Sequence, residues 1–206
     1  MDSQNLLILT VYLIIVTYVF YQAYRSLGNQ VVIQLDSADL NRQLEEKELT
    51  DIVTIKFKLK DSYKLDELTK LTMTLKNISQ EATIGLNWDL SSLADFDNAT
   101  NRVIRLTPGM TDLPQKQVET IVLPGQVFET DLSSDKSLTS TLFKPAKLRK
   151  ATIKSDPFRL RLYLTVSNLD GDTQSQPLSC QFIPKKLRWT RALTIALKPK
   201  PSSKSA

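Results

Sequence analysis

The chain has 206 residues, 41% hydrophobic and 24% charged, with five Gly, one Cys and no His; this suits one folded domain plus an appendage rather than a disordered or disulfide-stapled chain. Without an imidazole, Ser-His-Asp triads, Cys-His pairs and most zinc sites are excluded. Gly28, Gly85, Gly109, Gly125 and Gly171 stand too far apart to spell a phosphate loop or a dinucleotide fingerprint, so a nucleotide cofactor is not expected.

The first 27 residues read as a transmembrane anchor. Ser3 to Tyr24 is a stretch of 22 residues without a charge, and eleven of the sixteen from Leu6 to Tyr21 are Leu, Ile, Val or Phe. On an insertion scale these contribute roughly −3 to −7 kcal/mol, more than Thr10 and Thr17 cancel. A helix from Leu6 to Leu27 would be about 33 Å long, enough for a hydrocarbon core of about 30 Å. Tyr18, Phe20, Tyr21 and Tyr24 crowd its downstream end, as an aromatic belt would. A buried core helix would keep a polar stripe, which this one lacks. A cleaved signal peptide would open on Lys or Arg and close on a small-residue cleavage site, whereas here the start is Met-Asp-Ser-Gln-Asn and the exit Tyr24-Arg25-Ser26-Leu27. Arg25 and Arg42 downstream, against only the amino terminus upstream, vote for a cytoplasmic domain. The lone Cys180 agrees, since secreted domains more often pair their cysteines; a periplasmic or lumenal domain is the other option. Asn77-Ile78-Ser79 and Asn98-Ala99-Thr100 spell glycosylation acceptors that matter only if the domain is lumenal.

Beyond Gly28 the hydrophobic period becomes two. Residues 28–51 read as a linker holding a strand at Val31 to Leu35 and a short helix within Asp36 to Glu48, capped by Asp36 or Ser37 and presenting Leu40 and Leu44. A domain follows over residues 52–197. Val53, Ile55, Phe57 and Leu59 alternate with Thr54, Lys56, Lys58 and Lys60, giving a strand one buried and one wet face. Similar strands are predicted at Leu71 to Lys76, Thr83 to Asp89, Arg102 to Leu106, Gln117 to Val122, Val127 to Leu132, Phe158 to Val166, Leu178 to Ile183 and Ala192 to Leu197. Turn residues join them at Lys76-Asn77-Ile78-Ser79, Leu123-Pro124-Gly125-Gln126 and Asn168-Leu169-Asp170-Gly171-Asp172. Ser133 to Pro157 lacks a period and reads as a long loop with one helical turn, and residues 198–206 as a disordered basic tail. Many short strands with frequent turns predict an all-β sandwich.

From Leu71 through Asn77 to Trp88 the chain resembles the second and third strands of an immunoglobulin-like antiparallel β-sandwich, where a strand ending in a polar turn precedes one carrying a core Trp. The resemblance implies that Met73 stands where antibody-type domains place their first disulfide cysteine, with Trp88 packed nearby. The strand from Phe158 to Val166 has no matching Cys. About twenty residues carry the likeness, and the superfold hosts many functions.

Candidate chemistry is sparse. Asp95 with Asp97, and Asp170 with Asp172, are carboxylate pairs that acid/base catalysis could use, but both sit where turns favour Asp. Asn168, Asp170 and Asp172 alternate like the opening of a calcium loop, with Gly at the fourth place rather than the sixth and no closing Glu. Ser133-Ser134-Asp135-Lys136 matches Ser-x-x-Lys without its companion motifs. Cys180 alternates with Leu178 and Phe182 as a small core hydrophobe. The clearest asymmetry is charge: residues 1–143 carry net −6 and residues 144–206 net +11. Basic density peaks at Lys144, Lys147, Arg149, Lys150 and Lys154, and again at Lys185, Lys186, Arg188 and Arg191 around Trp189. The expected contacts with a protein partner or an anionic lipid surface are therefore Lys144, Lys147, Arg149, Lys150, Lys186, Arg188, Trp189 and Arg191. The sequence predicts an anchored, non-enzymatic β-sandwich that binds or scaffolds proteins at a membrane, such as an accessory or assembly subunit, with no cofactor, metal or nucleic acid. The alternative is an exported carbohydrate-binding or carboxylate-using enzyme domain at the cell envelope.

Overall fold

The computed structural model describes residues 3–27, 29–106, 117–137, 140–168, 172–188 and 190. It opens on helix α1 (Ser3–Leu27), whose span Gln4–Gln22 is long and apolar enough to cross a membrane and has none of its length buried against the rest of the chain. Thr10 satisfies its hydroxyl within the helix by donating to the Leu6 carbonyl at 2.8 Å.

The remaining elements are β1 (Gln30–Leu35), α2 (Ser37–Glu46), β2 (Val53–Lys58), β3 (Tyr63–Lys64), β4 (Leu71–Asn77), β5 (Thr83–Ala94), β6 (Thr100–Leu106), β7 (Thr120–Val122), β8 (Val127–Ser134), a 3-10 turn (Asp135–Ser137), α3 (Pro145–Lys154), β9 (Phe158–Ser167) and β10 (Thr173–Lys186). All the strand pairs are antiparallel, in the order β2-β4-β8-β6-β5-β9-β10-β1-β3, with β7 on β5. The all-β expectation holds at that level: the strands form one mostly antiparallel sheet curled into a half-barrel behind an apolar amino-terminal helix.

The curl comes from two strands that change partners. β5 pairs with β7 through Ile84 to Leu86 and with β6 through Ser92 to Ala94; β6 pairs with β5 through Thr100 to Arg102 and with β8 through Val103 to Leu106. Between Asn87 and Ser92 the β5–β9 register slips, as at a bulge that bends a sheet and re-aims side chains. Ser91 bridges the gap: its hydroxyl donates to the Asn87 carbonyl at 2.7 Å and accepts from the Tyr163 N–H at 3.1 Å. Alternating residues fill the concave face, with Phe158, Leu160, Leu162 and Leu164 of β9 buried and Arg159 and Arg161 between them exposed. Phe57 meets Phe182 edge-on at 4.9 Å, Phe182 stacks on Phe158 at 5.0 Å, and Phe143 joins Phe158 at 4.7 Å. Each such ring withdrawn from water contributes about 1.5–3 kcal/mol before entropy. Trp88 and Met73 are both fully buried, and the indole N–H of Trp88 donates to Thr120 at 2.9 Å.

α2 begins as its sequence indicates, with the Asp36 carboxylate accepting from the Asp39 N–H at 3.1 Å and Leu40 and Leu44 buried. It lies along the edge of β10 that β1 leaves open. The Gln43 amide donates to the Ser179 carbonyl and accepts from the Ser179 N–H, both at 2.9 Å, replacing the missing ladder partner and blunting an edge. Val31, Ile33, Leu40, Leu44 and Leu49 belong to the same buried cluster as the strands from Val53 onward.

Two sequence expectations need correction. Residues 133–157 are not a loop with one helical turn: they hold the last two residues of β8, the 3-10 turn and ten-residue α3. Pro145 starts α3, where its fixed φ suits the first turn, and Leu148, Ala151 and Thr152 form a buried face at three- and four-residue spacing. Asn77 is no accessible glycosylation acceptor. It is fully buried, its amide donating to the Ala82 and Val122 carbonyls at 2.8 and 3.0 Å and its oxygen accepting from the Ser79 N–H at 3.0 Å. Asn98 is exposed, with φ +58° in the β5–β6 turn. The strand expected at Ala192 to Leu197 and the tail 198–206 lie outside the described residues.

A candidate basic docking face

Strand register determines which charges share one end of the half-barrel. β1 starts two residues after α1, and its Val31 and Val32 pair with Lys186 and Lys185 at the end of β10. Gln30 pairs with Lys64 of β3, and the Leu65 N–H donates to the Asn29 carbonyl at 3.1 Å. β9 starts at the same end, since Phe158 pairs with Phe182, and α3 leads into it through residues 155–157. The two basic segments, some 30 residues apart in sequence, thus reach the end of the sheet from which the apolar helix leaves.

The predicted residues are not equivalent there. Lys144 is exposed at the amino end of α3 and makes no side-chain cap. Lys147 is already engaged, its ammonium 2.6 Å from Asp97 Oδ2 and 3.2 Å from Asp95 Oδ2. The hydrogen bond to Lys147 holds the Asp97 carboxyl below its ordinary range, with Lys150 and Lys154 assisting, and Asp97 and Asp95 in turn raise Lys147. Arg149 and Lys150 are exposed on α3 with Lys154, none of them in an ion pair among the described residues. Lys186 and Arg188 are exposed, Lys186 with an interaction partner of its own. Trp189 and Arg191 lie outside the described residues. The sequence reading passed over Ile153, 74% exposed on α3. At 100° per residue it falls between Arg149 and Lys150, on the side away from Leu148, Ala151 and Thr152. Pro145 followed by that three- and four-residue spacing was the signal for it.

The other candidates have structural duties. Asp95 Oδ1 accepts from the Asp97 and Ala99 N–H groups at 3.0 Å each, the self-bonded turn that Asp favours. Ser133 donates to the Thr69 carbonyl at 3.3 Å. Cys180 is buried, and desolvation pushes its thiol up to about 12, the reverse of what a nucleophile needs. The Asn168 N–H closes the β9–β10 hairpin on the Asp172 carbonyl at 3.0 Å; Asp170 of the calcium-loop candidate lies outside the described residues. Among the described residues no group of three or more Cys, Asp or Glu could hold a metal.

The bulge in β5 carries a polar cluster that the sequence reading missed. Asp89 pairs with Arg102 and accepts from the Gln117 N–H at 3.3 Å. The Gln117 amide accepts from the Arg105 N–H at 2.8 Å and donates to the Val103 carbonyl at 2.7 Å, and Arg105 reaches Thr120 at 2.8 Å. These bonds stitch β5, β6 and β7 together beside two open grooves of about 390 and 510 Å³.

The sequence matches no protein-family model and no curated protein. Two solved structures show distant similarity. A Bordetella pertussis structure assigned to the ApaA protein is 11% identical, with a TM-score of 0.31 over 64% of this chain and 88% of its own. A Northeast Structural Genomics Consortium target is 10% identical, with a TM-score of 0.28 over 77% of this chain and 89% of its own. Similarity of that degree transfers neither fold nor function.

Proposed function

We propose that this protein is a single-pass, amino-terminally anchored β-domain that binds or scaffolds other proteins at a membrane, as an accessory or assembly subunit, without a catalytic centre of its own. The observation that carries this reading is the wholly unburied apolar span of α1 attached by two residues to a sheet whose core is complete without it. So much apolar surface is stable only when lipid or another protein covers it. An immunoglobulin-like sandwich is the finer description of the domain, supported by Trp88 and Met73 lying in one buried cluster and by the Phe57–Phe182 contact. The Arg25 and Arg42 bias favours a cytoplasmic domain.

Protein binding has its own support at the opposite end of the sheet. Val118, Ile121, Leu123 and Val127, along β7 and its turn into β8, are each at least half exposed. Against a general-acid role for Asp97 stands its hydrogen bond to Lys147, which lowers its carboxyl where a general acid needs a raised one. The test is to wash native membranes with alkaline carbonate and crosslink the full-length chain in place. Full-length protein in the pellet and a reproducible partner that survives the wash are expected. A mature chain starting near Gly28, or release into the supernatant, overturns the anchor; crosslinking that yields no reproducible partner overturns the scaffold role.

A further inference from the structure

We infer that the outward face of α3 and the end of β10 form an interfacial docking surface for anionic phospholipid headgroups, in the leaflet that α1 enters, an inference resting on the reading of α1 as an anchor. Three observations converge on it. The first is reach. From Gln22, the end of the apolar span, α1 runs five more residues, about 7.5 Å. Covalent geometry then limits Leu27 to Gln30 to about 11 Å. The headgroup layer takes up about 5–7 Å of that path, so even at full extension the end of the sheet lies no more than about 11–14 Å from the surface, and any less extended path brings it into contact.

The second observation is charge. Arg149, Lys150, Lys154, Lys185 and Arg188 are exposed at that end with no ion pair among the described residues, whereas the neighbouring carboxylates Asp95 and Asp97 are occupied by Lys147. The third is Ile153, exposed on the outward side of α3 between Arg149 and Lys150. An apolar side chain ringed by cations suits a helix lying in the headgroup plane, where the apolar group enters the acyl boundary and the cations meet phosphates. Each cation that reaches an anionic leaflet strengthens docking about five-fold, and the tether makes the contact intramolecular, so a few cations suffice.

The experiment uses the full-length chain in vesicles of phosphatidylcholine with or without phosphatidylserine, carrying an environment-sensitive dye on Ile153→Cys; buried Cys180 stays unlabelled. Flotation reports whether the chain is anchored, and the dye whether α3 touches lipid. The inference expects a blue shift with phosphatidylserine only, lost in high salt and lost in the variant that adds R149E, K150E and K154E. A dye on Ile121→Cys, at the far end of the sheet, should not respond. A chain that fails to float refutes the anchor itself. A chain that floats while the Ile153→Cys dye stays in water in both vesicle types leaves the anchor standing and overturns the lipid surface. If the same charge reversals then abolish a crosslinked partner in native membranes, an acidic protein is the occupant instead.

Discussion

Replacing Asn77 by Ala tests whether one buried amide closes the end of the half-barrel far from α1. Its two N–H groups are shared between the Ala82 carbonyl just before β5 and the Val122 carbonyl at the end of β7, while its backbone N–H donates to the Gln126 carbonyl at 2.9 Å. Alanine keeps the backbone bond and strands two acceptors in residues that are 5% and 1% exposed; the Ser79 N–H, near the surface, can turn to water. At about 1–2 kcal/mol per stranded carbonyl the loss is about 2–4 kcal/mol. For a domain of this size that lowers the Tm by roughly 4–16 °C. The assay is the far-ultraviolet circular dichroism melt of the full-length protein in detergent. Asn77→Asp sharpens it, because it preserves shape while turning a carboxylate toward two carbonyls. Burial and those dipoles raise the introduced carboxyl above its unfolded value of about 3.9, so the stability deficit should shrink on acidification and grow as pH rises through the folded value. An Asn77→Ala melt within about 1 °C of the parent, equivalent to less than about 0.5 kcal/mol, would refute the reasoning.

Three further outcomes are expected. Cys180, pushed up to about 12 mainly by burial and secondarily by Asp39, should resist alkylation until the protein unfolds; the sign of its shift means that its contribution to stability is complete below the unfolded thiol value of about 8.5 and is lost as pH rises toward 12, measurable as a falling Tm that Cys180→Ser attenuates. Gln43→Ala removes both bonds to Ser179, so about 1–3 kcal/mol of stability should go with them and the bared β10 edge should promote self-association, read by light scattering. Lys147→Met should let the Asp97 carboxyl rise toward its ordinary range, followed by NMR titration; because that carboxyl is depressed in the folded parent, the Lys147 contact persists above the unfolded carboxylate value and loosens only as pH falls through the folded one.

Much of the local structure was legible in residue order because it obeys short periods. The apolar run in α1, the alternation of β9 between Phe158, Leu160 and Leu162 on one side and Arg159 and Arg161 on the other, and the Asp36 cap with Leu40 and Leu44 in α2 all depend on neighbours within four residues. α3 was legible in principle but short, and the Ser, Thr and Lys around it masked its three-residue buried face. What residue order alone left open is which distant segments meet. Gln43 and Ser179 are 136 residues apart, Lys147 and Asp95 are 52 apart, and nothing local to either partner announces the other. Register and curl decide such pairings, because antiparallel strands align by the fit of whole faces. The same register carries Lys185 and Lys186 to the exit of α1 and leaves Arg149 and Lys150 free there, while α3 spends Lys147 on the β5–β6 turn. The sequence by itself determined that an apolar helix precedes an antiparallel β-domain with a basic carboxy-terminal part. Only the tertiary structure decided which of those cations remain available and which end of the domain they occupy, because a charge becomes available through what folds beside it.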